Sequence, residues 1–192
     1  MTIQHLPATG YVAMPWKNGT GSTDEICLLP DGASRDAFAL RVSRASIATT
    51  GVFSAFPGVE RTITLIEGER LTLEFGDHDV ELVIGHPYRF DSGLTPVGVP
   101  KGGPVRVVNV MAARDAWQLA PASVLTKGTV VQPEPQGLAF VFALRGTSGL
   151  SASQETVTLG EGDCALLDAP ARFTPDAGAA ILVVPLRAAS GV

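Results

Sequence analysis

The chain has 192 residues, 45% hydrophobic and only 17% charged, which is the composition of a packed globule and excludes a largely disordered protein. Its formal net charge is −5 and no two lysines or arginines adjoin, so it lacks the clustered cations that neutralise a phosphate backbone, which argues against nucleic-acid binding. No apolar run approaches membrane-spanning length, and 21 glycines with 14 prolines suit many short strands better than long helices.

The N-terminal MTIQHLPATGYVAMPWK has no basic segment followed by an apolar one, so no secretory signal is read and a cytoplasmic protein is expected. Next comes PWKNGTGSTDEI (15–26), which gathers Trp16, Lys17 and Asn18 beside a small flexible loop. FALRVSRASI (38–47) sets Arg41, Ser43 and Ala45 on one face of a strand, with Leu40 and Val42 on the other. FPGVERTITLIEGE (56–69) places Arg61 at the head of an apolar strand. RLTLEF (70–75), the turn GDHD (76–79) and VELVI (80–84) alternate as a hairpin. In VRVVNVM (105–111), Asn109 shares a face with Val107 and Met111. ARDAWQLA (113–120) could hold one helical turn, and QPEPQG (132–137) is a break. LAFVFAL (138–144), ETVTL (155–159), CALL (164–167) and AILVVPL (180–186) are further strands. Cys27 and Cys164 both fall in strands, as expected of reduced buried thiols.

The chain also repeats its own strand order. Residues 64–90 and 142–170 each run strand, glycine turn, strand, turn, strand and proline corner. LGEGDCALLDAP (159–170) resembles the cupin jelly roll. The expected fold is all-β: a bicupin of two jelly-roll β-sandwich domains, 1–117 and 118–192, interleaved with one another.

Cupins often hold a metal through histidines, because neutral imidazole offers a lone pair without charge. His5, His78 and His86 all lie away from the 56–69 stretch where such a pair would stand, which holds Pro57, Glu60 and Arg61 instead. No metal and no other cofactor is therefore expected. Neither a phosphate loop nor a nucleophile elbow is present. What remains is a set of polar residues in apolar strands. A buried arginine or asparagine needs a partner. Arg41 and Arg61 either pair with Glu25, Glu60 or Glu67, face solvent, or point into a cavity and clamp an anion.

Four segments, PWKNGTGSTDEI, LRVSRASI, GVFSAFPGVERTITLIEGE and GPVRVVNVM, occur in this order and resemble the histidine-utilisation protein D family, HutD/Ves. The resemblance has specific motifs over residues 10–117 and is mostly architectural beyond. It implies a bicupin fold and a bacterial cytoplasmic protein tied to histidine catabolism. It also implies a ligand-binding or regulatory role, with N-formylglutamate as a proposed ligand. The motif residues carried over are Trp16, Lys17, Asn18, Glu25, Arg41, Ser43, Phe56, Pro57, Arg61 and Asn109. The chain departs from the family pattern at Thr20, Glu60 and Leu40.

The expected ligand site is Trp16, Lys17, Asn18, Arg41, Ser43, Arg61 and Asn109. Trp16 offers packing, Lys17 charge and Asn18 directional hydrogen bonds to a small carboxylate. The alternative for that segment is a turn built on Asn18-Gly19, with Lys17 solvated. Three functions follow: a metal-free regulatory binding protein, a metal-independent isomerase or hydrolase using Lys17 or a carboxylate, and a structural homodimer with a vestigial pocket.

Overall fold

The computed structural model describes residues 2–15, 21–153 and 155–189. Their regular elements are all strands, apart from one 3-10 turn at Ala8–Gly10. None of them forms a helix long and apolar enough to cross a membrane. The chain divides into two compact units.

The first unit is Tyr11–Trp117. Its larger sheet has six strands in the order Val12–Pro15, Gly21–Leu29, Leu40–Ile47, Val105–Ala113, Val59–Glu67 and Pro87–Asp91. Its smaller sheet orders Gly51–Val52, Val97–Lys101, Arg70–Glu74 and Asp79–Leu82. The alternation in RLTLEF does what period two demands. Leu71 and Leu73 turn inward and meet Ile63, Leu65, Val105 and Val107 of the larger sheet in one core cluster.

The second unit contains the described residues after Trp117 together with those before Tyr11. Leu138–Arg145 lies between Cys164–Leu167 and Ala180–Ala188, and Ile3–Leu6 forms the edge on Cys164–Leu167. The facing sheet orders Thr129–Val131, Ala171–Pro175, Ser148–Ala152 and Glu155–Leu159. Its core joins Val141, Leu150, Leu167, Phe173 and Ile181.

The internal repeat appears as strand-for-strand equivalence. Val59–Glu67, Arg70–Glu74, Asp79–Leu82 and Pro87–Asp91 in the first unit correspond in order to Leu138–Arg145, Ser148–Ala152, Glu155–Leu159 and Cys164–Leu167 in the second. Each repeat makes its first turn on a left-handed glycine, Gly68 at φ 98° and Gly146 at φ 67°. A Cβ at Gly68 would lie 2.7 Å from Val105 Cγ1 and 2.9 Å from the Pro104 carbonyl oxygen, so no side chain fits there.

Two local expectations change. ARDAWQLA holds no helical turn: a tight turn, with Ala116 N–H donating to Ala113 O at 3.0 Å, leads into the strand Trp117–Leu119. One helical turn carries the cost of nucleation with no propagation to offset it, whereas the strand pairs within the second unit's larger sheet. The hairpin strand in VELVI ends at Leu82, leaving Val83 and Ile84 outside the ladder and exposed.

Candidate functional site

Three central strands of the first unit's larger sheet bring the polar residues together. Arg41 faces Met111, which faces Arg61 on its other side. Two residues along, Ser43 faces Asn109, which faces Ile63. Residues opposite one another in an antiparallel ladder project to the same side, and so do residues two apart. Arg41, Ser43, Arg61 and Asn109 therefore share the face of Ala45, Ile63, Leu65 and Val107, which is the inside of the sandwich. All four are buried, Arg61 to 4% exposure. The equivalent interior of the second unit is a continuous apolar cluster. With the same architecture, the second interior carries one buried serine, Ser148, among apolar side chains, while the first carries guanidinium, hydroxyl and amide groups. The fold itself does not require that polar set.

The two arginines differ in how they are satisfied. Arg41 makes a two-point ion pair with Glu25, Nε to Oε1 at 3.0 Å and Nη2 to Oε2 at 3.1 Å. Glu25 faces Ser43 across the strand pair, and a β-bulge between Glu25 and Cys27 bends the strand where the carboxylate meets Arg41. Arg35 Nε also donates to Glu25 Oε2, at 3.2 Å. Of the carboxylates the sequence offered, Glu25 is thus Arg41's partner.

Arg61 has no carboxylate partner among the described residues. Glu60 is 3.6 Å from Arg89, and Glu67 is 2.7 Å from Arg106. Arg61 Nη2 donates to Ser92 Oγ at 2.8 Å, while its buried Nε has no partner. Its guanidinium carbon lies 5.3 Å from the ring centre of Phe53, 5.7 Å from Phe56 and 5.5 Å from Phe90. These rings partly replace lost hydration through their electron-rich faces. Burial, and then the neighbouring charge of Arg41, lower the Arg61 pKa well below the ordinary arginine range, to about 9. Asn109 adds a buried Oδ1 without a partner among the described residues. A buried guanidinium N–H and a buried amide oxygen, both unpaired, are what a ligand offering an acceptor and a donor would satisfy.

A cavity of about 620 Å³ opens in the same unit, lined in part by Asp36, Phe38, Phe56, Pro57 and Asp115. Neither arginine lines it. Phe56 is common to both features: it walls the cavity and lies 5.8 Å from the Arg41 guanidinium carbon as well as near Arg61. Trp16, Lys17 and Asn18 lie outside the described residues.

Sequence reasoning did not single out Phe53, Phe90 or Ser92, which complete the surroundings of Arg61. The only hint was the density of aromatics in GVFSAF and the DSG turn at 91–93. The histidines are dispersed: His5 is 3.6 Å from Asp163 in the second unit, His78 contacts Asp77, and His86 contacts the Ile84 carbonyl. Among the described residues no three His, Cys, Asp or Glu side chains group as a metal site would require.

Two sandwiches with repeated strand order make this a bicupin. A cupin barrel-domain protein from Leptotrichia buccalis shares the fold, with a TM-score of 0.59 at 11% identity over 91% of this chain and 92% of that one. The HutD family matches residues 8–183, and the chain belongs to that family. Protein Ves from Citrobacter koseri is 42% identical over 102 residues, so the match spans 52% of this chain and only about half, 52%, of that relative. HutD from Pseudomonas fluorescens SBW25 superposes with a TM-score of 0.80 at 26% identity, covering 97% of this chain and 99% of that one. A conserved protein of unknown function from Pseudomonas aeruginosa PAO1 gives 0.86 at 26% identity with the same coverage.

Proposed function

We propose that the protein binds a small carboxylate inside its Tyr11–Trp117 sandwich and acts as a metal-free regulatory cupin linked to histidine utilisation. The observation that carries this reading is Arg61, a guanidinium at 4% exposure with an unpaired Nε and no carboxylate partner among the described residues. A buried charge left this way is costly, and an anion offsets the cost directly. Arg41, Ser43 and Asn109 line the same inner face, and in this reading Trp16, Lys17 and Asn18 complete the site. N-formylglutamate is the first ligand to test. It supplies a carboxylate for Arg61 and an amide N–H for the Asn109 oxygen.

Isothermal titration of the protein with N-formylglutamate, followed by chromatography of the recovered ligand, tests the reading. Binding with full recovery is expected, and Arg61→Ala is expected to weaken it by more than about tenfold, the usual scale for truncating one member of a buried charge pair. Undiminished binding by a folded Arg61→Ala protein would overturn the assignment. Conversion of the ligand would point instead to a metal-independent isomerase or hydrolase.

A further inference from the structure

The two arginines invite the view that the site holds a dianion, one carboxylate on each. Their partners argue otherwise. Arg41 uses Nε and Nη2 on the two oxygens of Glu25, in the side-by-side geometry that suits a carboxylate best. Both side chains are about one-tenth exposed, so the pair is shielded from solvent and salt. Any ligand carboxylate aimed at Arg41 has to displace Glu25 or sit beside its negative charge. Arg35, the second cation on Glu25, is 41% exposed and so largely screened. Arg61 has only a serine hydroxyl and three aromatic rings. On this inner face, Arg61 is the one uncompensated cation among the described residues.

We infer that Glu25 sets the charge specificity of the site: by occupying Arg41 it leaves a receptor for a single carboxylate at Arg61, and it rejects a second negative charge beside the first. This rests on the anion-binding reading above and specifies it. Arg41 then acts as a positioning residue. It anchors Glu25 and, through the shared ring of Phe56, helps hold the aromatic wall against Arg61. A ligand with two carboxylates would enter by one end only, the other remaining away from this pair.

The test is titration of the full-length protein with sodium formate and sodium malonate at constant ionic strength. Wild type should bind formate at least as tightly as malonate. Glu25→Gln removes the blocking charge and releases Arg41. Malonate should then tighten by about tenfold or more, as expected for deleting a like charge from the same low-dielectric face. Formate should gain less. Adding Arg41→Gln to that variant should cancel the malonate gain. Arg35→Gln, a change at a half-exposed side chain, leaves Glu25 less neutralised and should weaken formate by about two- to threefold. It gives an independent reading if Glu25→Gln does not fold. If wild type prefers malonate, or if neither Glu25→Gln nor Arg35→Gln moves anion affinity while Arg61→Ala abolishes it, the role of Glu25 is refuted and the anion site stands. If wild type binds neither anion, both fall.

Discussion

Arg61→Met is the substitution that separates a functional charge from a structural one. Methionine keeps a flexible stem of similar reach and deletes the guanidinium. Burial and the charge of Arg41 penalise the charged form in the fold and hold the Arg61 pKa down at about 9. Methionine gives up one hydrogen bond from a charged donor to Ser92, about 1.5–3 kcal/mol, and three ring contacts of about 0.5–1 kcal/mol each, but it also sheds the penalty of the buried charge. Arg61→Met should therefore cost at most about 2 kcal/mol, well short of the roughly 3–5 kcal/mol lost when a buried ion pair is broken. Urea unfolding with and without formate is the assay. Wild type should gain about 2.7 kcal/mol at a hundredfold excess over Kd, and the variant nothing. A loss above about 3 kcal/mol without ligand would make Arg61 a structural anchor. Formate stabilisation that survives in the variant would remove Arg61 from the site.

The same group gives a pH dependence. Above about pH 9 the folded protein gives up the Arg61 proton that the unfolded chain still keeps, so this group's penalty to folding fades as pH rises from there. Because the anion requires the protonated form, formate affinity measured by titration should decline as pH passes about 9, and a flat profile up to pH 10 would contradict the assignment. Gly98→Ala should displace Phe53, since a Cβ there would lie 2.5 Å from its Cε2 atom. Overpacking of this kind costs about 1–3 kcal/mol in urea unfolding, and an unchanged midpoint would show that the ring is not held against the strand. Burial, then the charges of Asp31 and Glu25, push the Cys27 thiol up to about 11. Ellman labelling at pH 8 should therefore be slow and accelerate toward pH 11, whereas rapid uptake of one equivalent at pH 8 would refute that environment.

The alternation of RLTLEF, the glycine turns and the repeated strand order are local properties, and each was legible because strand period and turn conformation depend only on neighbours in the chain. The same alternation set Arg41 with Ser43, and Asn109 with Met111, on common faces. What no local pattern could supply was register. Arg41, Met111 and Arg61 form one row only because three strands from distant parts of the sequence pair in a particular alignment, and a slip of one residue would have turned Arg61 outward. Partner choice was equally non-local. The sequence offered Glu25, Glu60 and Glu67 to either arginine, and tertiary structure gave Glu25 to Arg41 while leaving Arg61 to Ser92 and three phenylalanines. Ser92 and Phe90 stand 31 and 29 residues beyond Arg61, and only the pairing of Val59–Glu67 with Pro87–Asp91 brings them to it. Burial of a charge is a property of the assembled sandwich, since the cost of removing an ion from water depends on everything packed around it.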